Sequence, residues 1–429
     1  MIDLLLVNPG DISPYPAMGL AELAAYVRQA RYSVDIVDFS ASDTIDQILK
    51  AEAKVVGLSV PCGLVRVSFE LAKYIRKETD AKIIFGGYYP TFCAKECLQD
   101  KGVDFAILGE GELPLLGLLN NLIKQKGSLQ QVPGIAYMAE GQVVSNPRVY
   151  ISDLDSLPLP ALDLLPLENY PRKVGKEPTG TLSTGRGCPF GCKFCSQSAF
   201  WERKVRFRSP QKVLEIVDMM VKKYCFNYIR ILDDIFPLRP KEALQIATGL
   251  KERDLKWECQ ARIDSVSESL LRDFANANLD RVFFGIESGS PKIQRATGKE
   301  LAPEAIRRII AIARDTGIKI KVSFQIGTPG ETKEDVDLSI KLAQELDVDE
   351  IALFVATPFP GIPLYQIAIE NKLLENINPD DCDPSIASMG TGFMSKEEVE
   401  QEAQRFLDSV EKATWGHHSK KGRALRKFE

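Results

Sequence analysis

Gly187-Cys188-Pro189-Phe190-Gly191-Cys192-Lys193-Phe194-Cys195 follows directly on a short β-branched run at 181–184. Its three thiols are spaced C-x-x-x-C-x-x-C on a loop freed by two glycines and a proline. Such a loop can hold three irons of a four-iron cluster and leave the fourth iron without a protein ligand. An iron open in this way is a reaction site. Three unrelated structural cysteines, or a zinc site short of its fourth ligand, also fit the spacing.

Outward from this loop the chain alternates strands with helical periods. Strands are expected at 181–184, 228–232, 257–262, 281–286, 319–325 and 350–357. The intervening apolar periodicity predicts helices at 210–223, 241–253, 268–277, 303–315, 334–345 and 364–372. Six units predict an incomplete, TIM-like (β/α)6 barrel with its chemistry at the carboxyl ends of the strands. A charged helix at 396–412 then leads into a tail with Lys420, Lys421, Arg423, Arg426 and Lys427.

Toward the N-terminus the same alternation gives strands at 2–8, 33–39, 54–60, 81–86 and 103–108, with helices at 18–31, 44–53, 65–79, 92–100 and 112–126. This is the pattern of a Rossmann-like, doubly wound parallel sheet, so the whole chain is α/β. A hairpin-like piece at 134–150 and a segment with Pro158, Pro160, Pro166, Pro171 and Pro178 separate the two runs as a stiff connector. The expected division is a first domain at 1–132, a linker at 133–180, the barrel at 181–376 and a C-terminal extension at 377–429.

Composition narrows the function. The chain has 429 residues, 54 Lys+Arg against 59 Asp+Glu, a net charge of -5, 45% hydrophobic residues and nine cysteines. That balance is globular, and it offers no basic field for nucleic acid. No apolar stretch reaches the roughly 18 to 20 residues of a spanning helix. Without a secretory signal, the expected setting is the cytoplasm, where an odd cysteine number with three clustered thiols favours metal ligation over disulfides. Both histidines, His417 and His418, lie in the last 13 residues. The chemistry of the body must proceed without imidazole, which removes histidine-ligated zinc and imidazole acid/base catalysis.

The cysteine loop, with Phe194 before its last thiol, resembles the signature of the radical S-adenosylmethionine (SAM) superfamily. There the open iron chelates the amino and carboxylate groups of SAM, and an electron from the cluster cleaves it to a 5'-deoxyadenosyl radical. The resemblance continues in Phe284-Gly285-Ile286-Glu287-Ser288-Gly289-Ser290, Gly327-Thr328-Pro329-Gly330-Glu331 and Pro358-Phe359-Pro360-Gly361. It implies Cys188, Cys192 and Cys195 as cluster ligands, and Phe194, Asp233, Arg262, Glu287, Ser288 and Gly327 as SAM contacts. From the residues alone, Asp233-Asp234 and Arg262 serve equally as an ion pair closing the barrel mouth.

The N-terminal sheet resembles the cobalamin-binding domain fused to many of these enzymes. The resemblance rests on Asn8-Pro9, Met18-Gly19-Leu20-Ala21, Gly86-Gly87 and Gly109-Glu110-Gly111-Glu112. It implies cobalamin contacts at Asn8, Pro9, Cys62, Gly63, Leu64, Gly86, Gly87, Tyr88, Gly109, Glu110 and Gly111. The D-x-H-x-x-G motif that supplies histidine to cobalt elsewhere is absent. Cys62 stands as either a cobalt ligand or a small core residue.

Together the two resemblances imply a cobalamin-dependent radical SAM enzyme that methylates an unactivated carbon. Its cofactors would be a four-iron, four-sulfur cluster, SAM and methylcobalamin, with an external one-electron donor of flavodoxin or ferredoxin type. Radical cyclisation, oxidation or rearrangement, and a cobalamin or iron–sulfur sensor without turnover, are the alternatives. The substrate, whether small molecule or peptidyl, and the oligomeric state are not legible.

Overall fold

The computed structural model describes residues 1–10, 15–41, 45–170, 173–174, 177–374 and 382–416. The chain forms two compact units, the first drawn from Met1–Arg172 and the second from Lys173–Ser419. The histidines and the basic tail lie outside the described residues.

In the first unit β1 (Ile2–Asn8), β2 (Val34–Asp38), β3 (Ala53–Ser59), β4 (Lys82–Gly86) and β5 (Phe105–Ile107) are parallel. Each has a continuous buried run, such as Leu4, Leu5, Leu6 and Val7 in β1, as parallel strands covered on both faces require. Two more strands, β6 (Ile135–Ala139) and β7 (Gln142–Ser145), join antiparallel beyond β5, giving the order β2-β1-β3-β4-β5-β6-β7. The expected hairpin therefore extends the first sheet, because Ile135, Ala136 and Tyr137 are apolar, buried and paired with β5.

The proline-bearing segment differs from a bare spacer. Leu154, Leu157, Leu162, Leu165 and Leu167 are buried, and Ala161 N–H donates to the Ala21 carbonyl at 3.0 Å. Arg28 meets Asp163 at 2.9 Å, and the Tyr170 hydroxyl donates to the Asp38 carboxylate. Leucine every two to five residues gives this segment its own apolar anchors. The helix expected at 92–100 is instead two, Tyr88–Phe92 and Ala94–Gln99, interrupted at Cys93, whose φ of -125° and ψ of 41° are not helical.

The second unit begins with β8 (Lys173–Val174), β9 (Glu177–Leu182), and the two-residue strands β10 (Gly185–Arg186) and β11 (Arg206–Phe207). It continues with β12 (Tyr228–Ile231), β13 (Lys256–Ala261), β14 (Leu279–Glu287), β15 (Lys319–Ile326), β16 (Glu350–Val355) and β17 (Ala413–Trp415). The main sheet runs β17-β16-β15-β14-β13-β12-β9-β8, and its six expected strands are parallel and consecutive. β17 adds a seventh parallel strand on β16, and β8 pairs antiparallel with β9. Among the described residues β17 and β8 remain the two edges, so the barrel is open.

Helices follow the strands as their side-chain spacing dictates. Pro303–Asp315 starts with proline in its first turn and buries Ile306, Ile309, Ile310 and Ala313 at intervals of three and four. Ser209 caps Pro210–Tyr224, while Thr332 with Asp335, and Ser395 with Glu398, form capping boxes for Lys333–Glu345 and Lys396–Ser409. No described helix is long and apolar enough to cross a membrane.

Beneath β13 lies an aromatic knot. Trp257 packs against Phe274 and Phe236 at ring-centroid distances of 5.2 and 5.5 Å, and its indole N–H donates to the Ala277 carbonyl at 2.7 Å. Phe274→Ala should lower the stability of the second unit by about 3–5 kcal/mol in denaturant titration followed by Trp fluorescence. A loss under about 1 kcal/mol would show that the knot is not a packing centre.

Candidate functional site

The cysteine loop leaves β10 and returns through a short helix, Ser196–Phe200, to β11, which pairs antiparallel with β10. At Gly187, φ is +99° and a Cβ would lie 1.9 Å from the Lys204 carbonyl oxygen. At Gly191 a Cβ would lie 2.4 Å from the Arg203 guanidinium. Only glycine permits the approach to the backbone carbonyl at Gly187, whereas the contact at Gly191 is with the movable end of the Arg203 side chain. The loop is tied further by Lys193 N–H to the Thr297 carbonyl and Leu364 N–H to the Lys193 carbonyl, both at 2.9 Å.

Cys188 and Cys192 are buried and Cys195 is half-buried. Burial pushes the Cys188 thiol up and the Cys195 thiol up to about 12, so these thiols are protonated until a metal displaces the proton. Among the described residues no three His, Cys, Asp or Glu side chains converge as they would on a single ion. A four-iron cluster makes no such demand, because each thiolate binds its own iron.

Arg262, at the end of β13, locks the loop from inside the barrel. Its guanidinium lies 3.9 Å from the Phe190 ring centroid, donates to Asp264 through two nitrogens at 2.8 Å, and reaches the Cys192 Sγ at 3.5 Å and the Lys299 carbonyl at 3.2 Å. Burial opposes its charge, but the Asp264 pair outweighs that and holds its pKa above the ordinary value.

The remaining strand-end residues are also engaged. Asp233, after β12, accepts from the Thr184 N–H at 2.6 Å and the Thr184 hydroxyl at 2.5 Å. Burial pushes its pKa up to about 6, against those donors. Glu287, at φ +70° on the bulged end of β14, accepts from Lys299 at 2.6 Å and Ser323 at 3.0 Å. Ser288 lies 3.1 Å from the Ser339 hydroxyl. Gly327 N–H donates to Glu331 at 2.6 Å. Phe194 is half-buried beside the last thiol.

In the first unit the four loops of interest follow β1, β3, β4 and β5, which are consecutive in the sheet, and so share one carboxyl edge. Asn8 donates to Asp38 at 2.8 Å, and Pro9 is buried behind it. Cys62 is buried, and Leu64 precedes the helix Val65–Glu78. Val60 and Gly86 bond across the β3 and β4 loops at 2.8 Å, and the Tyr88 ring packs on Phe92. Glu110 is buried and accepts from Ile151 N–H at 2.9 Å, and Gly111 leads into Glu112–Leu122. Gly63, Gly87 and Gly109 take φ of +86°, +96° and +82°, leaving backbone rather than side chain at this edge.

The radical SAM superfamily profile matches residues 182–343, and that of the B12 binding domain matches residues 12–119. An uncharacterised methyltransferase of Pyrococcus horikoshii is 33% identical over 373 residues, spanning 85% of this chain and 80% of that protein. The chain belongs to the B12-binding branch of the radical SAM superfamily. Anaerobic magnesium-protoporphyrin IX monomethyl ester cyclase of Rubrivivax gelatinosus is 29% identical across 82% of this chain and 66% of its own. Among solved structures, the radical SAM methyltransferase TsrM from Kitasatospora setae, holding tryptophan substrate and a SAM analogue, superposes with a TM-score of 0.80 at 17% identity. That likeness, over 98% of this chain and 92% of TsrM, is one of fold.

Enzymes of this branch use a four-iron, four-sulfur cluster, SAM and cobalamin, and the donor set fits the first of these with three thiols on one pinned loop. Asp234 was less legible than its neighbour. It has no hydrogen bond or ion pair among the described residues, and its charge bears on Cys188 and Cys195. Burial first, then the charge of Asp233, pushes its pKa up to about 7. Two adjacent carboxylates in sequence do not reveal which one Thr184 will occupy. Lys299, Thr184 and Glu331 were likewise missed as partners, since each acts through contacts distant in sequence or across a loop.

Glu331 of this radical SAM barrel is fully buried, and its Oε1 has no partner. Burial pushes its pKa up to about 8, only partly countered by the Gly327 and Thr328 amides. A carboxyl that keeps its proton more tightly when folded contributes stability fully present below about pH 4.5, its ordinary value, and lost as pH rises through about 8. Unfolding titrations at pH 5 and 9 should show Glu331→Gln reducing this loss by roughly 2–5 kcal/mol. Parallel profiles for variant and wild type would contradict a neutral Glu331.

Proposed function

We propose that this enzyme transfers a methyl group to an unactivated carbon of its substrate. The observation that carries the reading is one chain holding both a pinned three-thiol loop at a barrel mouth and a glycine-bearing sheet edge matched by the B12 binding profile. With the cofactors bound, cluster and SAM supply a 5'-deoxyadenosyl radical, and cobalamin supplies the methyl group.

Cys188, Cys192 and Cys195 hold the cluster in this reading. Asp234 is the carboxylate left to receive the SAM ammonium, and a cation there would return it to the ionised form that burial disfavours. Asp233, Arg262, Glu287, Ser288 and Gly327 shape the SAM site through the bonds they make within the protein, and Phe194 borders it. Asn8, Pro9, Cys62, Gly63, Leu64, Gly86, Gly87, Tyr88 and residues 109–111 line the cobalamin edge. The chain's task is positioning and exclusion of water, since hydrogen abstraction by a radical needs no acid/base pair.

The reading includes an external one-electron donor and a reducing cytoplasmic setting, consistent with an exposed free thiol at Cys225. Incubating the reduced holoenzyme with methyl-deuterated SAM and a native cell extract should label an acceptor and yield both S-adenosylhomocysteine and 5'-deoxyadenosine. 5'-Deoxyadenosine with no labelled product would replace methylation by cyclase-type chemistry. No SAM cleavage would leave only a sensor.

A further inference from the structure

The chain has a net charge of -5, yet residues 186–208 carry six Lys or Arg against one Glu. This is the segment that surrounds the cluster thiols. Its outer part, the turn from Trp201 to β11, presents Glu202, Arg203 and Lys204 to solvent, with Arg206 stacked 5.4 Å over the Trp201 ring behind them. Lys193, half-buried, belongs to the cysteine loop itself.

The turn is built to hold these cations close to the thiols. Glu202 and Arg203 take successive positive φ values of +50° and +57°, a left-handed pair uncommon for side-chain-bearing residues. The Lys204 carbonyl closes on Gly187 and the Arg203 guanidinium lies on Gly191. Both cation-bearing residues therefore pack against the cysteine loop, at the glycines that precede Cys188 and Cys192. Arg203 has no ion pair among the described residues, and the Lys204 charge meets Glu202 at 2.8 Å on the surface, where such pairs contribute little.

Resting on the functional reading above, we propose that the face formed by Arg203 and Lys204 docks an acidic one-electron carrier protein that reduces the cluster. The step is one electron: the reduced carrier loses it, the oxidised cluster gains it, and no proton or group moves. A cationic surface on the turn that packs against the cysteine loop attracts an acidic carrier and orients it for transfer.

The test uses the full-length, reconstituted protein without oxygen, with cluster bleaching followed by stopped flow. Reduction by an acidic flavodoxin hydroquinone should be about tenfold slower in Arg203→Gln/Lys204→Gln at low salt, with a weaker salt dependence. Arg203→Lys/Lys204→Arg, which keeps the charge, should match wild type. Photoreduction by deazaflavin, a small molecule with no docking surface, should proceed equally in all three. Equal flavodoxin rates in all three proteins would overturn the proposal, as would a neutral variant slowed equally toward deazaflavin. A wild-type protein that binds no cluster at all would defeat the functional reading itself, a failure distinct from either.

Discussion

The approach of a carbonyl oxygen to a backbone that has no side chain governs the site. The Lys204 carbonyl occupies the volume a Cβ at Gly187 would need, and the movable end of the Arg203 side chain lies against Gly191. The first of these, with the backbone bonds of Lys193 to Thr297 and Leu364, fixes the path of the loop that bears the three thiols. Arg262 adds a second hold on the loop, stacked on Phe190 and bonded to Cys192. Together these contacts reduce the conformational freedom that would have to be lost when a cluster binds.

Charge is arranged around that loop in two layers. Inside, burial disfavours the ionised form of the acidic groups, so Asp233 and Asp234 are pushed up to about 6 and 7. Asp233 is satisfied by Thr184 and ties β9's exit to β12's, while Asp234 has no hydrogen bond or ion pair among the described residues. Glu287 is neutralised by Lys299, a pair buried together at the end of β14. Such pairs hold strand ends in register more than they stabilise the fold, because their desolvation offsets much of their attraction.

Much of this was readable from sequence, for identifiable reasons. β-Branched runs bounded by turn residues located β1 at Ile2–Asn8 and β15 at Lys319–Ile326 closely, since both strands are long and buried. β17, three residues long, carries too little pattern to be recognised and exists only because β16 offers it an edge. The hairpin at β6 and β7 was visible, but its attachment to β5 depends on long-range pairing that no local period encodes. The cysteine loop was legible because its chemistry requires fixed residue types at fixed spacing. The partners of Asp233, Glu287 and Arg262 were not, because Thr184, Lys299 and Phe190 reach them only after the barrel has formed.

The central claim is that one chain carries two separate cofactor sites, a cluster on three thiols and a corrinoid on the other unit's sheet edge. The most direct measurement is iron and corrinoid content, with visible spectra, after oxygen-free reconstitution of wild type and of a variant with Cys188→Ala, Cys192→Ala and Cys195→Ala together. Loss of about four irons in the variant, with corrinoid retained in both proteins, is the predicted result. Iron without corrinoid in the wild type, or iron that survives loss of the three thiols, would contradict it.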